Sequence, residues 1–497
     1  MEPITREEKL ISGVPLEPIT RKEYFLAKAA GMDVNTPEPI TREEMFLSKI
    51  TGGGGGSGGG GSAASVPWND VTFIDYDGTV LYSYTLEEAQ KLTELPPLPT
   101  QTGLICQEWN WSLEDIKAQN GPVIVGATYI TDDGKTRIYI TLHEGRTSPM
   151  LGLGVDGTVT VDWGDGTEPD VLTGTSTSTV KWTPRHNYAE PGDYVISLSV
   201  EGTARLTGND TSEHYSHILR YTSTADARNR VYNSAVKKIE LGGDTVSIDN
   251  YAFNYCINLS SITVPNHISF GNIGTFAKCY SLKHITVPSG QTNIAIDVFN
   301  SCYNLASVSL PSSVKSIGNQ AFQYCYNLAS VTIPNITRIG NNAFSYCYAL
   351  KSIAIPYGVT STGKNAFDRC YTLESVTIPN SVTEIADTTF QYCYSITSIV
   401  IPNSVTTISQ YAFRYCYSLS SVTIPNSVTT IGNEAFCNCP SVKCYDFSDF
   451  TSVPSLGGTY AFYKISADCQ ILVPSALYDE WSTATNWVSF ASYMVAV

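Results

Sequence analysis

Side chains that could bind a metal ion or act as acids and bases are few and scattered in this sequence. Among the six histidines, His143 is followed by Glu144 but lacks the second histidine that a zinc-protease helix needs four residues on. Asp162, Asp165 and Asp170 are close enough in sequence to line a weak calcium site, but aspartates in such positions more often shape turns. We favour the turn role, so the sequence predicts no metal site and no cofactor.

A second candidate for chemistry is the run Phe73-Ile74-Asp75-Tyr76-Asp77-Gly78-Thr79-Val80, which resembles the first motif of the haloacid dehalogenase superfamily. The resemblance implies that the first aspartate attacks phosphorus and that the second handles the proton of the leaving group. That chemistry also needs a lysine and a later acidic pair around a doubly wound sheet, and no succession of strands and helices follows. An Asp-Gly hairpin explains the motif more simply, so we expect no enzyme.

The thirteen cysteines are the remaining reactive side chains, and nine of them fall at one fixed position of a repeat. A cysteine at a repeat position usually acts as a small apolar residue of the core. We therefore favour free, buried thiols, with disulfides as the alternative.

The repeat is marked by phenylalanines at a step of 23 residues, broken once by a step of 22. Three residues after each phenylalanine comes a cysteine, and a strand-like run such as Ser421-Val422-Thr423-Ile424-Pro425 closes the unit. The nine pairs are Phe253/Cys256, Phe276/Cys279, Phe299/Cys302, Phe322/Cys325, Phe344/Cys347, Phe367/Cys370, Phe390/Cys393, Phe413/Cys416 and Phe436/Cys439. One unit is too short to bury its own apolar face, so neighbouring units must stack into a solenoid with a parallel strand ladder.

The pattern Ile-Pro-Asn-Ser-Val-Thr-x-Ile, continued to Ala-Phe-x-x-Cys, occurs at residues 401–416 and 424–439 and resembles the BspA-type leucine-rich repeat family. The resemblance implies a surface protein that binds host or partner molecules, and the same repeat also occurs in phage tail proteins. We assign residues 245–474 to the repeats, residues 204–244 to a connector and N-cap, and residues 475–497 to a C-terminal cap helix.

Two sets of polar side chains on the repeats are candidates for ligand contact. Serine and threonine occupy the outward strand positions, and tyrosines flank the ladder cysteine as two aromatic stripes that could contact a glycan or protein. Tyrosines that only cover the repeat corners are the alternative, and the two roles are compatible. The predicted ligand-binding residues are Tyr324, Tyr326, Tyr346, Tyr348, Tyr392, Tyr394, Tyr415, Tyr417, Ser375, Thr377, Ser421 and Thr423.

The sequence before the repeats predicts smaller parts, so the whole chain is expected to be multidomain and mostly β. Residues 52–65 form a Gly/Ser linker, residues 66–120 a small α+β unit with a helix from Leu86, and residues 121–203 a β-sandwich. The run from Val159 to Thr167 with Trp163, followed by His186-Asn187-Tyr188 and Pro191-Gly192-Asp193-Tyr194, resembles the PKD domain family, an immunoglobulin-like sandwich. The resemblance implies a non-catalytic spacer or contact module.

Residues 1–51 contain three copies of Glu-Pro-Ile-Thr-Arg-(Glu/Lys)-Glu, in which Thr5, Thr20 and Thr41 are suitable N-caps of short helices. Helices this short are marginal alone, so we expect them to bind each other, copies in a homo-oligomer or a partner protein. The candidate residues for attachment to a particle are Phe25, Leu26, Phe46 and Leu47.

Composition and charge limit the classes of partner that the protein can bind. The net charge of -16 argues against a nucleic-acid ligand, because phosphate binding depends on lysine and arginine. The sequence has no run of 18 apolar residues and no export signal, so membrane insertion and a secretory leader are not expected.

The stretch from Thr72 to Leu113 and the helical motifs look similar to the heads of phage tail and fibre proteins. We therefore predict a non-catalytic receptor-binding protein of a phage or prophage tail, located in the virion tail or outside the cell. Its N-terminus would dock to tail or baseplate proteins, and its repeats would contact a host surface glycan or protein. A homo-oligomer, with a trimer as one option, is expected. The alternative is a bacterial cell-surface adhesin.

Overall fold

A computed structural model describes residues 70–119, 122–207, 218–220, 232–271 and 273–497. All of them belong to the second of the two units into which the chain divides, Pro67–Val497. The N-terminal motifs and the Gly/Ser linker therefore lie outside the described residues. Within the described ranges, no helix is long and apolar enough to cross a membrane.

The first described part is a small α+β unit with its own core. Its elements are β1 (Val71–Ile74), β2 (Val80–Tyr84), α1 (Leu86–Lys91), β3 (Leu104–Trp109), α2 (Leu113–Lys117) and β4 (Val123–Thr131). The sheet order is β2-β1-β4-β3, with β1 and β4 parallel and the other two pairs antiparallel. Helix α1 begins after Thr85, which forms a capping box with Glu88. In the core, the Phe73 and Trp109 ring centres lie 4.9 Å apart.

The boundary between this unit and the predicted sandwich is different from the prediction. Strand β4 was assigned to the sandwich of residues 121–203, but it pairs with β1 and β3, so the unit extends to Thr131. The physical reason is that eight of the nine residues of β4 are buried, without the alternation of a half-exposed sandwich strand. The turn Asp132-Asp133-Gly134 consequently connects strands of two different sheets, β4 and β5.

Seven further strands lead from this unit to the repeats. They are β5 (Thr136–Leu142), β6 (Met150–Asp162), β7 (Asp170–Trp182), β8 (Gly192–Leu206), β9 (Leu219–Arg220), β10 (Val236–Glu240) and β11 (Thr245–Ile248). The long strand β8 pairs with β5 through residues 192–198 and with β11 through residues 204–206, while residues 197–206 pair with β6. The sheet therefore branches, and the PKD resemblance stays a prediction.

The first strands of the solenoid pair with this branched sheet at two places. Strand β10 pairs antiparallel with β5 and parallel with the first repeat strand, Ser261–Thr263. Strand β11 pairs parallel with β8 and with Ser269–Phe270. One hydrophobic cluster runs without interruption from Ile138 to Met494, so these strands close the open end of the solenoid core.

The repeats form two stacks of parallel strands, which we call the first and second ladders, whereas the sequence predicts one strand per unit. Hydrogen bonding divides each stack into shorter sheets. The first ladder contains β12 (Ser261–Thr263), β14 (His284–Thr286), β16 (Ser307–Ser309), β18 (Ser330–Val331), β20 (Ser352–Ala354), β21 (Ser375–Thr377), β23 (Ser398–Val400), β25 (Ser421–Thr423), β27 (Cys444–Asp446) and β29 (Gln470–Val473). The second ladder contains β11, β13 (Ser269–Phe270), β15 (Asn293–Ile294), β17 (Ser316–Ile317), β19 (Arg338–Ile339), β22 (Glu384–Ile385), β24 (Thr407–Ile408), β26 (Thr430–Ile431) and β28 (Ser455–Leu456). We number the repeats 1 to 9 from the one that contains Phe253 and β12.

Because the period is fixed, equivalent residues of successive repeats lie next to each other in the stack. Ser375 pairs with Ser352, and Ser421 pairs with Ser398. The repeat phenylalanines are fully buried and stack with centre distances from 5.2 Å, between Phe322 and Phe344, to 5.6 Å, between Phe276 and Phe299. Each such ring is a large buried apolar group, so this stack is a principal part of the solenoid core.

The cysteines form a second column inside the core. All thirteen are free thiols, and the nine at the repeat position are buried, as the sequence analysis favoured. From Cys279 onward, each ladder thiol donates to the phenylalanine carbonyl 25 or 26 residues earlier, as Cys325 does to Phe299 over 3.2 Å. The thiol therefore fills a small space and satisfies a buried carbonyl.

The C-terminal end covers the last open edge of the core. The segment predicted as one cap helix comprises a 3-10 turn (Ser475–Leu477), helix α3 (Tyr478–Thr483), a second 3-10 segment (Trp487–Tyr493) and strand β30 (Met494–Ala496). Trp481 and Trp487 are almost fully buried, and Trp487 packs against Phe447 and Phe462. Strand β30 adds to β29, so it continues the first ladder through the cap.

Candidate functional site

The outward face of the first ladder is partly covered by the chain itself. The α+β unit lies on repeats 1 to 4, where strand β4 contacts β12, β14 and β16. The Ser309 hydroxyl donates to the Ile124 carbonyl over 2.6 Å, and the Ile124 amide donates to the Thr332 hydroxyl over 3.1 Å. Asn110 donates to the Val287 carbonyl over 2.9 Å.

The same contact reaches the corner that follows each strand. We call the position directly after the repeat proline the corner position. Gln107 accepts from the amide of Asn266, Glu108 accepts from the hydroxyl of Ser289, and Asp115 accepts from the hydroxyl of Ser312. Asn266, Ser289 and Ser312 are the corner residues of repeats 1 to 3. The α+β unit, which lies on the first ladder, therefore contacts both strand positions and corner positions.

A groove of about 650 Å³ runs along this junction, between the α+β unit and the corners of repeats 2 and 3. Leu98, Pro311 and the two carboxylates Glu108 and Asp115 line it. Both carboxylates already accept hydrogen bonds from repeat serines. The groove is therefore part of the interface between the docked unit and the repeats.

Covering these repeats corrects part of the hydroxyl face that the strand pattern predicts. Thr263, Ser309 and Thr332 point outward from the ladder in the sequence pattern, yet they are 0%, 0% and 8% exposed. The physical reason is contact with distant parts of the chain, which the repeat sequence cannot reveal. Ser309 and Thr332 bond to the docked unit, and Thr263 accepts from the amide of Leu241, which follows β10.

The face of repeats 5 to 8 is open to solvent. Among the predicted binding residues, Ser375, Thr377, Ser421 and Thr423 are all exposed there. We call this surface the free face and define it by three positions of each repeat: the first and third strand residues and the corner residue. Its members are Ser352, Ala354, Tyr357, Ser375, Thr377, Asn380, Ser398, Val400, Asn403, Ser421, Thr423 and Asn426, and each is exposed.

The predicted tyrosines form two ladders of their own, and half of them are inside the molecule. Tyr326, Tyr348, Tyr392 and Tyr415 are at most 8% exposed, so a ligand cannot lie on their rings. Tyr324, Tyr346, Tyr394 and Tyr417 are half-buried. One ladder continues from Tyr280 to Tyr417 by near-parallel stacking, for example 4.7 Å between Tyr326 and Tyr348. The corner-covering role is therefore the one that the packing supports.

An arginine interrupts the other row of tyrosines, which contains Tyr324, Tyr346, Tyr392 and Tyr415. Arg369 stands where other repeats have Tyr346 or Tyr392, and its guanidinium carbon lies 5.2 Å and 4.3 Å from the centres of those two rings. All three residues have left-handed backbone angles, with φ between 60° and 64°. Beside it, burial raises the pKa of Asp368 to about 7, although the nearby Arg369 charge acts in the opposite direction.

The exposed residue that the sequence analysis did not single out is Tyr357. It is 77% exposed, more than any other large hydrophobic side chain among the described residues. The signal in the sequence was the corner position itself, which is asparagine or serine in the other strand-bearing repeats from Asn266 to Asn426.

The candidate catalytic and metal-binding aspartates have structural contacts. Asp75 is buried and accepts hydrogen bonds from the Tyr129 hydroxyl and the Gln101 amide, each over 2.6 Å. Asp162 and Asp165 accept from backbone amides of their own turn, and Asp170 accepts from the Trp163 indole. Within the part of the chain that the structure describes, no group of three or more histidines, cysteines or acids could hold a metal ion.

The predicted attachment residues Phe25, Leu26, Phe46 and Leu47 lie outside the described residues. Among the residues that the structure describes, the candidate site is the free face.

Comparison with known proteins bears on the repeats. The model of the BspA-type leucine-rich repeat region matches residues 227–351 and 337–469, with six copies. The chain belongs to the BspA-type leucine-rich repeat family. The two matched segments contain the whole free face.

Solved structures similar to this BspA-type chain also contain leucine-rich repeats. A T. pallidum leucine-rich repeat protein is 30% identical over 32% of this chain and 77% of its own, with a TM-score of 0.31. A leucine-rich cell surface protein from Faecalibacterium prausnitzii is 25% identical over 47% of this chain and 77% of its own, with a TM-score of 0.28. A leucine-rich repeat protein from Bacteroides ovatus is 25% identical over 53% of this chain and 68% of its own, with a TM-score of 0.36. No curated protein matches this chain significantly.

Proposed function

We propose that this chain is a non-catalytic adhesion protein whose free face binds a glycan or protein on a cell surface. The observation that carries the proposal is the difference between repeats 1 to 4 and repeats 5 to 8. The same ladder is covered by the α+β unit in the first set and exposed in the second, as Ser309 and Thr423 illustrate.

The exposed hydroxyls of the free face are not needed to close the core. The inward residue of each strand fills the core, as Ile399 does between Ser398 and Val400. Exposed polar positions on a rigid scaffold are free to vary for recognition, and solenoids commonly bind partners along such extended surfaces.

Charge substitutions on the two ladders test the proposal. Ser421→Arg places a long cation on the free face, and Ser455→Arg places the same group on an exposed position of the second ladder. The full chain should bind at least one cell type in a panel of bacterial and epithelial cells. Ser421→Arg should reduce that binding at least tenfold, and Ser455→Arg should leave it within twofold. Equal losses, or no binding of the wild type to any cell, would contradict the proposal.

The setting of this adhesion protein is a separate proposal. The three N-terminal motifs support a place on a phage or prophage tail, in a homo-oligomer whose N-termini dock to the particle. A bacterial cell-surface adhesin is the alternative, and membership of the BspA-type family is compatible with both. Deleting residues 1–51 separates them: loss of incorporation into tail particles supports the first, and unchanged display on producing cells with no particle association rules it out.

A further inference from the structure

Tyr357 is a largely exposed aromatic side chain of the free face. Among the described residues its side chain has no hydrogen bond or ring contact, and 77% of it is exposed. The repeat tyrosines around it are stacked, as Tyr348 is between Tyr326 and Tyr371. Most of the Tyr357 ring is therefore accessible to another molecule.

The surroundings of Tyr357 on the free face are uncharged and mostly polar, with Ala354 and Val400 as the apolar exceptions. All twelve residues of the free face are neutral, in a chain with a net charge of -16. Exposed asparagine amides continue the corner row at Asn380, Asn403 and Asn426, and exposed serines form the first strand row. The charged residues Lys351 and Glu374 lie before the strands, on the edge opposite the corner row. This composition favours an uncharged polar ligand over a charged one.

Two departures from the repeat pattern meet at Tyr357. The corner of repeat 4, Pro334-Asn335-Ile336, is one residue shorter than the others and produces the single step of 22. In repeat 5, Gly358 follows the tyrosine with φ +131°, and a side chain there would approach the Ile336 carbonyl to 3.2 Å. Both corners therefore depart from the repeat pattern at the point where the covered part of the first ladder ends.

We propose that the free face binds a neutral glycan, with the ring of Tyr357 packed against a sugar ring and the corner amides and strand hydroxyls bonding its hydroxyls. This inference rests on the proposed function, since it names the ligand class of the same face. Sugar rings carry apolar C–H faces beside hydroxyl edges, so an amphipathic ring flanked by uncharged donors and acceptors matches them.

The geometry suits an elongated chain rather than a single sugar. Corner residues of successive repeats are one strand step apart, about 4.8 Å, so Tyr357 to Asn426 extends over roughly 14 Å. The α+β unit already contacts strand and corner positions together in repeats 1 to 3, through Ser309 and Ser312 for example. A glycan along repeats 5 to 8 would occupy the equivalent positions.

Affinity electrophoresis of the full chain tests the inference with stated probes. The gels contain mannan, dextran or xylan as neutral polysaccharides, and polygalacturonate or heparin as acidic ones. At least one neutral polysaccharide should retard the wild type and Tyr357→Phe. Tyr357→Ala should bind that polysaccharide roughly tenfold more weakly. Tyr460→Ala, which removes another exposed ring near the C-terminus (52% exposed), should bind like the wild type.

Each other outcome has a definite meaning. Retardation by acidic polysaccharides alone, or by none, would overturn the glycan inference, as would equal losses for Tyr357→Ala and Tyr460→Ala. If Ser421→Arg abolishes cell binding while Tyr357→Ala does not, the free face binds its ligand without Tyr357 and only the glycan inference fails. If neither variant changes cell binding, the proposed function fails as well.

Discussion

Gly126 of the α+β unit packs directly against Thr286 of repeat 2. A Cβ atom at Gly126 would lie 2.2 Å from the Thr286 hydroxyl oxygen and 2.6 Å from its methyl carbon. Glycine is required at this point because two surfaces meet there. Its neighbour Asn110 bonds to repeat 2, and Ile124 bonds to repeats 3 and 4. This contact lies in the middle of the covered part of the first ladder.

Gly126→Ala should therefore loosen the docked unit. We expect faster hydrogen exchange at the amide of Ile124, which donates to Thr332, while the repeat core stays protected. Adding Thr286→Ala removes the two closest atoms and should restore part of the protection. Gly243→Ala, where a Cβ meets nothing within 4 Å, is the matched control. Unchanged exchange in Gly126→Ala would show that the unit is not held by this contact.

The cysteine ladder should be chemically silent in the folded protein. Burial raises the pKa of the Cys325 and Cys393 thiols well above 9, and thiolate is the reactive form. With a chromogenic thiol reagent at pH 8, we expect reaction at the half-buried Cys106 and Cys444 before any of the nine ladder thiols. The ladder should react only after unfolding. Fast reaction of several ladder thiols in native buffer would mean that the core opens readily.

The same thiols should make the protein sensitive to alkali. Because their folded pKa values exceed the unfolded value of 9.0, their contribution is fully present below about pH 9. It is lost as the pH rises from there, since the unfolded chain then releases protons that the folded chain retains. Denaturant unfolding at pH 8 and pH 10 should show a lower free energy of unfolding at pH 10. Replacing Cys325 and Cys393 by alanine should reduce the difference between the two values.

Asp368 should give the solenoid a second pH dependence. Its pKa is raised by burial to about 7, from an unfolded value of 3.8, so stability should fall as the pH rises from about 4 to 7. Asp368→Asn should flatten that fall and raise the free energy of unfolding at pH 8 by on the order of 2 kcal/mol. Asp449→Asn, at an exposed position, is the control and should leave the pH profile unchanged. A destabilised Asp368→Asn at pH 8 would instead show that the ion pair with Arg369 is favourable.

The buried tyrosines should contribute to stability and the exposed one to binding. Tyr348→Ala removes a ring held between Tyr326 and Tyr371 at 4.7 Å on each side, so we expect a loss of roughly 3–5 kcal/mol in denaturant unfolding. Tyr348→Phe keeps the stack and should cost much less. Tyr357→Ala should change stability by no more than about 0.5 kcal/mol. A large loss of stability in Tyr357→Ala would assign that ring to the fold.

The sequence was sufficient for the parts of the fold that depend on period and local pattern. The 23-residue step predicted the solenoid and its phenylalanine and cysteine columns, and Thr85 with Glu88 begins a helix where the pattern places one. The second ladder was missed because its strands are two residues long, as in Thr430–Ile431, too short for an alternation signal.

Contacts between distant segments could not be predicted in the same way. Strand β4 and the ladder meet across about two hundred residues, as Ile124 and Ser309 do, and no local pattern encodes that pairing. The tyrosine positions were recognised, but whether a repeat ring is buried depends on its neighbours in adjacent repeats. The buried Tyr392 and the half-buried Tyr394 illustrate the difference.

Site-specific photo-crosslinking tests the central claim most directly, because it shows which face touches the cell surface. A photoreactive phenylalanine analogue is placed at Ser398 on the free face and at Thr430 on the second ladder. We predict that illumination of cell-bound protein links the Ser398 derivative to a cell-surface molecule and leaves the Thr430 derivative unlinked. Crosslinks from Thr430 but not from Ser398 would contradict the account.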